Sequence, residues 1–314
     1  MITFGPVPSR RLGKSLGINN ITFPKTCSCG CIYCQVGKTI NKTIKRGDFF
    51  KPEIIYENVE KHIDHLSKDN FPDYLTFVSN GEPTLDINLG KSIRLLKGIG
   101  IPVAVITNAS LLRVESVRED LSLADWVSLK IDAGDNDTWQ KINAPAAGLN
   151  FGKITEGKNH FASSYKGKLC TETMLVDGVN DFPDNFSKVA QMVKNLNPFK
   201  AYLAIPIRPP SIKTVKPADT EELNQAWQIF SENQITTEFL TGFEGTDNGF
   251  TGNIHEDILN ITSVHPLRED SLIKLLQNDN AGFEVVDFLI SQKLIRVSVY
   301  EGKKFFLREL HLCL

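Results

Sequence analysis

Short apolar runs alternate with amphipathic stretches along the first 240 residues. Ile55, Val59, Ile63 and Leu66 recur at helical spacing. So do Leu89, Ile93 and Leu96; Val114, Val117 and Leu121; and Phe186, Val189, Val193 and Leu196. Each set predicts a helix with one buried stripe. Between them lie runs with little polar interruption, at 74–78, 103–108, 126–132, 169–176 and 202–207. Such runs suit strands covered on both faces, as in a parallel sheet between helices. A further strand is expected at 17–23, and the Pro-rich stretch 5–11 before it reads as a lead-in that cannot be helical. A helical region spans about 135–165, broken at Pro145, and Asp219 with Glu222 reads as a cap and its partner opening a helix to Phe230. Strand–helix alternation predicts an α/β fold, with too few units to close an eight-fold barrel.

The texture changes after residue 240. Gly242, Gly245, Gly249 and Gly252 punctuate 241–253 without periodicity, the pattern of a linker. Helical stretches follow at 255–265, 268–276 and 281–293, the last with Phe283, Val286 and Ile290 in register. Strand-like runs at 295–300 and 303–307 flank Glu301-Gly302, a hairpin signal. Three helices and a hairpin resemble a winged helix-turn-helix module. The expected organisation is therefore a main domain over 1–240, a linker over 241–253 and a small domain over 254–314.

A hydrophobic fraction of 41% in 314 residues is enough for a sizeable core. A formal net charge of -2 supplies no global field for nucleic acid or anionic membrane. No long apolar run is present, and the first twenty residues hold Arg10, Arg11 and Lys14 without an apolar core, so the chain reads as cytoplasmic with no membrane partner. From residue 253 onward seven basic residues face nine acidic ones, and the third tail helix carries Glu284 and Asp287. Those carboxylates repel phosphates, so DNA binding is not expected, and presentation of a partner or substrate is the favoured role of the tail.

Four of the six cysteines fall within eight residues, Cys27, Cys29, Cys31 and Cys34. Cys27, Cys31 and Cys34 follow C-x3-C-x2-C. A 4Fe-4S cluster normally takes four thiolates, one per iron, so three leave one iron open to a small molecule. A zinc site wants a fourth Cys or His at ligand spacing, which does not follow nearby. A disulfide framework belongs to short secreted chains. Cys29 is an extra thiol inside the loop. Cys170 and Cys313 are too few for a second cluster of ordinary Cys ligation; Cys170 reads as a buried thiol or as a hydrogen donor on a strand.

The cysteine spacing, with Tyr33 just before the last Cys, resembles the cluster loop of radical S-adenosylmethionine (SAM) enzymes. In that family the open iron is chelated by the amino and carboxylate groups of SAM. One electron then cleaves SAM to a 5'-deoxyadenosyl radical that abstracts hydrogen from a substrate. The resemblance covers roughly 17–240 and implies a partial (βα)6 TIM-type barrel and a one-electron donor such as flavodoxin or ferredoxin. It assigns Gly81-Glu82-Pro83, after the second expected strand, to the SAM amino group through Glu82 and the Gly81 backbone. Alternation places Ser128, Lys130 and Asp132 on one face of the fourth expected strand. The resemblance puts ribose and carboxylate contacts there, and an internal Lys130–Asp132 ion pair is the structural alternative. Asn108 is a candidate for hydrogen bonding to SAM or substrate, and Tyr33 for packing near adenine. Leu203 and Ile205 read either as an adenine slot or as core.

Glu172 and Thr173 point to opposite faces, with the lumen-facing one undecided. Arg10 and Arg11 read either as a solvated surface pair or as groups that neutralise the cluster or hold a substrate anion. No phosphate-binding loop and no Gly-x-Gly-x-x-Gly fingerprint follows a strand. Gly5-Pro6-Val7-Pro8-Ser9-Arg10-Arg11 together with this cysteine loop resembles the branch related to wyosine-type tRNA-modifying enzymes. The expected activity is hydrogen abstraction from a substrate, a tRNA base among those implied. The alternatives are radical modification or activation of a protein partner and, from another class, an Fe-S redox sensor with a winged-helix regulatory module.

Overall fold

The computed structural model describes residues 2–309, so Cys313 lies outside the described residues. Two antiparallel strands open the chain, β1 (Thr3–Ser9) and β2 (Gly13–Ile18). The cluster loop follows, with a small parallel pair of β3 (Thr26–Cys27) and β4 (Asn41–Lys42) at its base. Strands and helices then alternate: α1 (Pro52–Asp64), β5 (Tyr74–Phe77), α2 (Leu89–Leu96), β6 (Val103–Thr107), α3 (Glu115–Ser122) and β7 (Trp126–Lys130). After them come α4 (Asn136–Asn143), α5 (Phe151–Ser164), β8 (Lys168–Met174), α6 (Pro183–Leu196), β9 (Lys200–Ala204), α7 (Thr220–Glu232) and β10 (Thr237–Leu240). The sheet order is β1-β2-β5-β6-β7-β8-β9-β10, parallel from β2 onward, a curled half-barrel of TIM type.

Alternation along the strands sorts side chains into two layers. Leu75, Phe77, Val103, Val105, Val127, Leu129, Ala201 and Leu203 face the helices and merge with Ile55, Val59, Leu89, Ile93, Phe161, Phe186, Val193 and Phe230 in the main core. Burying each large apolar side chain contributes roughly 1.5–3 kcal/mol, so this layer holds the helices on the sheet. The concave face carries Ala104, Trp126, Cys170, Tyr202, Ala204 and Leu240, closed below by Leu12. Leu203 therefore lies in the helix-facing core and forms no adenine slot.

One expectation needs correction. The first strand is not 17–23. The chain enters the sheet earlier, and the Pro-rich lead-in is itself the edge strand β1. Pro6 and Pro8 are tolerated there because an edge strand does not need every N–H. The parallel strand β10 was not foreseen; its Thr237 and Glu238 stay half-exposed at the far edge, so no apolar run marks it. The break expected at Pro145 is present: the region is two helices, each capped by its own Asx residue, with Asp135 accepting from Thr138 N and Asn150 from Lys153 N.

The tail runs α8 (Ile254–Thr262), β11 (Leu267–Arg268), α9 (Glu269–Asn278), α10 (Glu284–Ser291), β12 (Ile295–Tyr300) and β13 (Lys303–Arg308), with an antiparallel sheet in the order β11-β13-β12. Its core of Ile258, Ile261, Leu272, Leu275, Val286 and Phe306 takes in Phe4 and Val7 of β1. The stretch 241–253 has no helix or strand but is tied down where Gly249 N donates to Pro6 O at 2.7 Å. No helix among the described residues is long and apolar enough to cross a membrane.

Candidate active site

The cysteine loop sits over the C-terminal ends of the strands, where ligand sites of parallel α/β folds collect. It is clasped from two sides. Gly81 has φ of 149°, and a Cβ there would lie 1.9 Å from Thr26 O, so only glycine lets the Gly-Glu turn close against the residue before Cys27. Glu82 N then donates to Thr26 O at 3.2 Å. On the other side Gly30 N donates to Asn143 O and Ile32 N to Ile142 O, each at 3.0 Å, stitching the loop to the end of α4.

Each sulfur of the C-x3-C-x2-C triad receives a nitrogen donor. Lys25 Nζ lies 3.0 Å from Cys34 Sγ, Asn143 Nδ2 3.3 Å from Cys31 Sγ, and Asn108 Nδ2 3.6 Å from Cys27 Sγ. Cys29 differs: its buried thiol donates to Cys31. Burial pushes the Cys27 thiol up to about 12, with Glu82 and Cys31 adding to the effect, whereas the hydrogen bond from Cys29 brings Cys31 down to about 7 against its burial. A buried thiolate becomes stable when a metal replaces its proton. Among the described residues no three His, Cys, Asp or Glu side chains converge as ligands of one metal ion. Three thiols spread along one loop, each with its own donor, fit a polynuclear 4Fe-4S centre.

The remaining candidates surround this loop. Glu82 is buried, which raises its pKa despite hydrogen bonds from Thr107, Thr84 and Asn108. Oε1 accepts from Thr84 N, Thr84 Oγ1 and Thr107 Oγ1, while Oε2 accepts from Asn108 N at 2.8 Å. Asn108 thus joins Glu82 to Cys27, and its Nδ2 also reaches Ser28 Oγ at 2.9 Å. Asp132 lies just past β7. It accepts from Tyr33 Oη, from Asn143 Nδ2 at 2.8 Å and from Met174 N at 2.9 Å, which fixes the ring beside Cys34. Ser128 is buried and shares the concave face of β7 with Lys130.

Lys130 makes no ion pair with Asp132. Its Nζ lies 2.6 Å from Glu172 Oε1 and 4.9 Å from the Tyr33 ring centroid. Strand register explains the choice, since Lys130 stands directly opposite Glu172 across β7 and β8. Glu172 is therefore the lumen-facing residue, and Thr173 Oγ1 donates to Ile131 O instead. The other Glu172 oxygen meets Arg11, so Arg10 and Arg11 are no solvated surface pair; both line the barrel mouth with Tyr33. Cys170 is fully buried on the concave face, pushed up to about 11 by burial.

Several residues of this region escaped the sequence reading. Lys25 and Asn143 are the donors to Cys34 and Cys31. Lys158 is buried, with its Nζ 3.0 Å from Lys130 O and its pKa pushed down to about 8 by desolvation. Its signal was helical spacing with Ile154 and Phe161 on α5. Gln35, next to Cys34, accepts from Arg208 and donates to Val264 O at 3.1 Å, and Arg208 pairs with Glu244 and His265. The cluster loop is thereby tied to the tail.

A half-barrel with this loop at its strand ends defines a class, and residues 21–190 match the Radical SAM superfamily, to which the chain belongs. The chain is 47% identical over 314 residues to the UPF0026 protein MJ1312 of Methanocaldococcus jannaschii, covering 98% of this chain and 96% of that protein. It is 30% identical over 308 residues to a UPF0026 protein of Helicobacter pylori strain 26695, covering 97% of each. The solved structure of TYW1 with a lysine-pyruvate adduct bound shares its fold, with a TM-score of 0.51, 15% identity and coverage of 95% of this chain and 82% of that one.

Proposed function

We propose that Cys27, Cys31 and Cys34 hold a 4Fe-4S cluster and that the chain is a SAM-dependent enzyme of hydrogen abstraction. When bound, the cluster and SAM supply a one-electron reductive cleavage that yields a 5'-deoxyadenosyl radical. The observation that carries this reading is the set of three nitrogen donors, one on each triad sulfur and, among the described residues, none on the neighbouring Cys29. Donors to sulfur favour the thiolate over the thiol.

The protein's own part is positional. Glu82 Oε2 and the Gly81 backbone take the SAM ammonium; a carboxylate there forms a charge-assisted hydrogen bond. Ser128 and Lys130 serve the ribose and carboxylate. Asp132 serves the same end and keeps Tyr33 in place for adenine, with Asn108 bridging the SAM pocket to the loop. The packed concave floor excludes water from the radical.

An RNA nucleobase is the substrate class we favour, supported by the sequence resemblance of Gly5–Arg11, together with the cysteine loop, to wyosine-type tRNA-modifying enzymes. A flavodoxin or ferredoxin is the electron donor we expect. The order helix–strand–helix–helix–hairpin over 254–308 supports a winged helix-turn-helix reading. With Glu284 and Asp287 on its third helix, that module presents substrate or partner and does not read DNA.

Anaerobically reconstituted protein is expected to release 5'-deoxyadenosine from SAM under dithionite. A reduced, fully assembled cluster that leaves SAM intact overturns the enzyme reading in favour of a redox sensor. Binding of tRNA across a salt series, against peptide controls, tests the substrate class.

A further inference from the structure

The barrel mouth beside Tyr33 holds more cations than its carboxylates match. Arg10, Arg11 and Arg208 line it with only Glu172 and Glu244. Both acids are taken. Glu172 bridges Arg11 and Lys130, and Glu244 lies 2.5 Å from Arg208. Arg10 has no ion pair among the described residues. Its Nε is buried with no hydrogen-bond partner, as are the Nε of Arg11 and the Glu172 oxygen that Arg11 meets as an ion pair. A buried N–H of a cation left without an acceptor is costly, and adjacent guanidinium forks match the planar oxygens of carboxylate or phosphate. Below the mouth Trp126, Tyr202 and Leu12 close the floor, so an entering group is a terminal one.

We propose that this mouth binds an anionic oxygen group of the substrate, a carboxylate or a phosphate, on Arg10 and the Nε edge of Arg11. The assignment rests on the proposed function only in taking the bound molecule to be the substrate. Arg11 pairs with Glu172 through Nη1, whereas Arg10 has no ion pair among the described residues. The site adjoins the cluster loop through Tyr33, so the anion anchors a substrate next to the place of hydrogen abstraction.

The test is anion binding to the anaerobically reconstituted holoprotein without SAM. Inorganic phosphate and malonate are titrated separately by calorimetry, with chloride holding ionic strength constant. The wild type is expected to bind at least one of them. Arg10→Gln, which strands no carboxylate, is expected to weaken that binding about tenfold or more. Arg10→Lys, with charge but no fork, falls between. Lys51→Gln, the same charge change at an exposed site, leaves binding unmoved. Tighter phosphate binding assigns a phosphoryl group, and tighter malonate binding a carboxylate. The proposal is overturned if neither anion outdoes chloride, if Arg10→Gln binds as the wild type does, or if saturating SAM displaces the anion, which assigns the guanidiniums to the cofactor. None of these readouts needs SAM cleavage. Failure of the wild type to release 5'-deoxyadenosine therefore counts against the proposed function separately.

Discussion

Lys25 Nζ lies 3.0 Å from Cys34 Sγ and 2.6 Å from Gly37 O, with the lysine 6% exposed. Burial alone lowers the pKa of such an ammonium, yet Cys34, Cys27 and Cys31 together hold it above its ordinary value. A fixed positive charge at a ligand sulfur eases the addition of an electron to whatever that sulfur binds. Lys25→Met is therefore expected to retain iron and to lower its midpoint potential. A hydrogen bond to a charged group contributes about 1.5–3 kcal/mol. At 59 mV per tenfold for one electron, the shift is roughly 60–130 mV. Spectroelectrochemical titration reads it, and an unchanged potential contradicts the role given to Lys25.

Gly81 transmits fold to site, because its missing side chain lets the Gly-Glu turn and the cluster loop share hydrogen bonds. Gly81→Ala forces a Cβ into Thr26 O at a backbone angle that L residues rarely adopt. Denaturant unfolding is expected to show a loss of about 3 kcal/mol or more. Gly100→Ala, also at positive φ but with open space around it, is expected to lose only about 1–2 kcal/mol. Equal losses at the two positions contradict the clasp.

The junction between barrel and tail is expected to weaken in acid. Glu244 is brought down to about 2: burial opposes this, and Arg208 with His265 outweighs it. Its contribution is present above the unfolded value of 4.5 and is lost as pH falls from there toward 2. Burial, then Arg208, brings His265 down to about 3, so the unfolded chain binds more protons between 6.5 and 3 and stability falls as pH drops through that window. Asp86 and Asp257, each pushed up to about 6 by burial, act in the opposite sense between 3.8 and 6. The difference between wild type and His265→Gln isolates the histidine. Urea midpoints from pH 7 to 4 are expected to fall more steeply with acid in the wild type than in the variant. Parallel curves contradict a neutral His265.

What the sequence makes legible follows from the range of the interactions involved. Cys27, Cys31 and Cys34 are neighbours in the chain, and the apolar residues of α1, α2, α3 and α6 repeat every turn, so spacing alone exposes them. The edge strand β1 is hidden because Pro6 and Pro8 argue against regular structure unless the edge position is known. The donor to Cys31 is 112 residues away at Asn143, and no local pattern marks an asparagine at the end of a helix as a sulfur partner. The Lys130–Glu172 pair depends on the register between β7 and β8, which periodicity within one strand does not carry. Asp132 was expected with Lys130 by alternation, but the strand ends at Lys130, and the carboxylate turns instead to Tyr33, Asn143 and Met174.

The central assignment is that Cys27, Cys31 and Cys34, without Cys29, hold the cluster. The most direct measurement is iron content with Mössbauer spectra of anaerobically reconstituted single variants. Cys27→Ala, Cys31→Ala and Cys34→Ala are each expected to lose the 4Fe-4S signal, while Cys29→Ser keeps it near the wild-type level. Loss of the cluster in Cys29→Ser, with its retention in any one of the other three, contradicts the assignment.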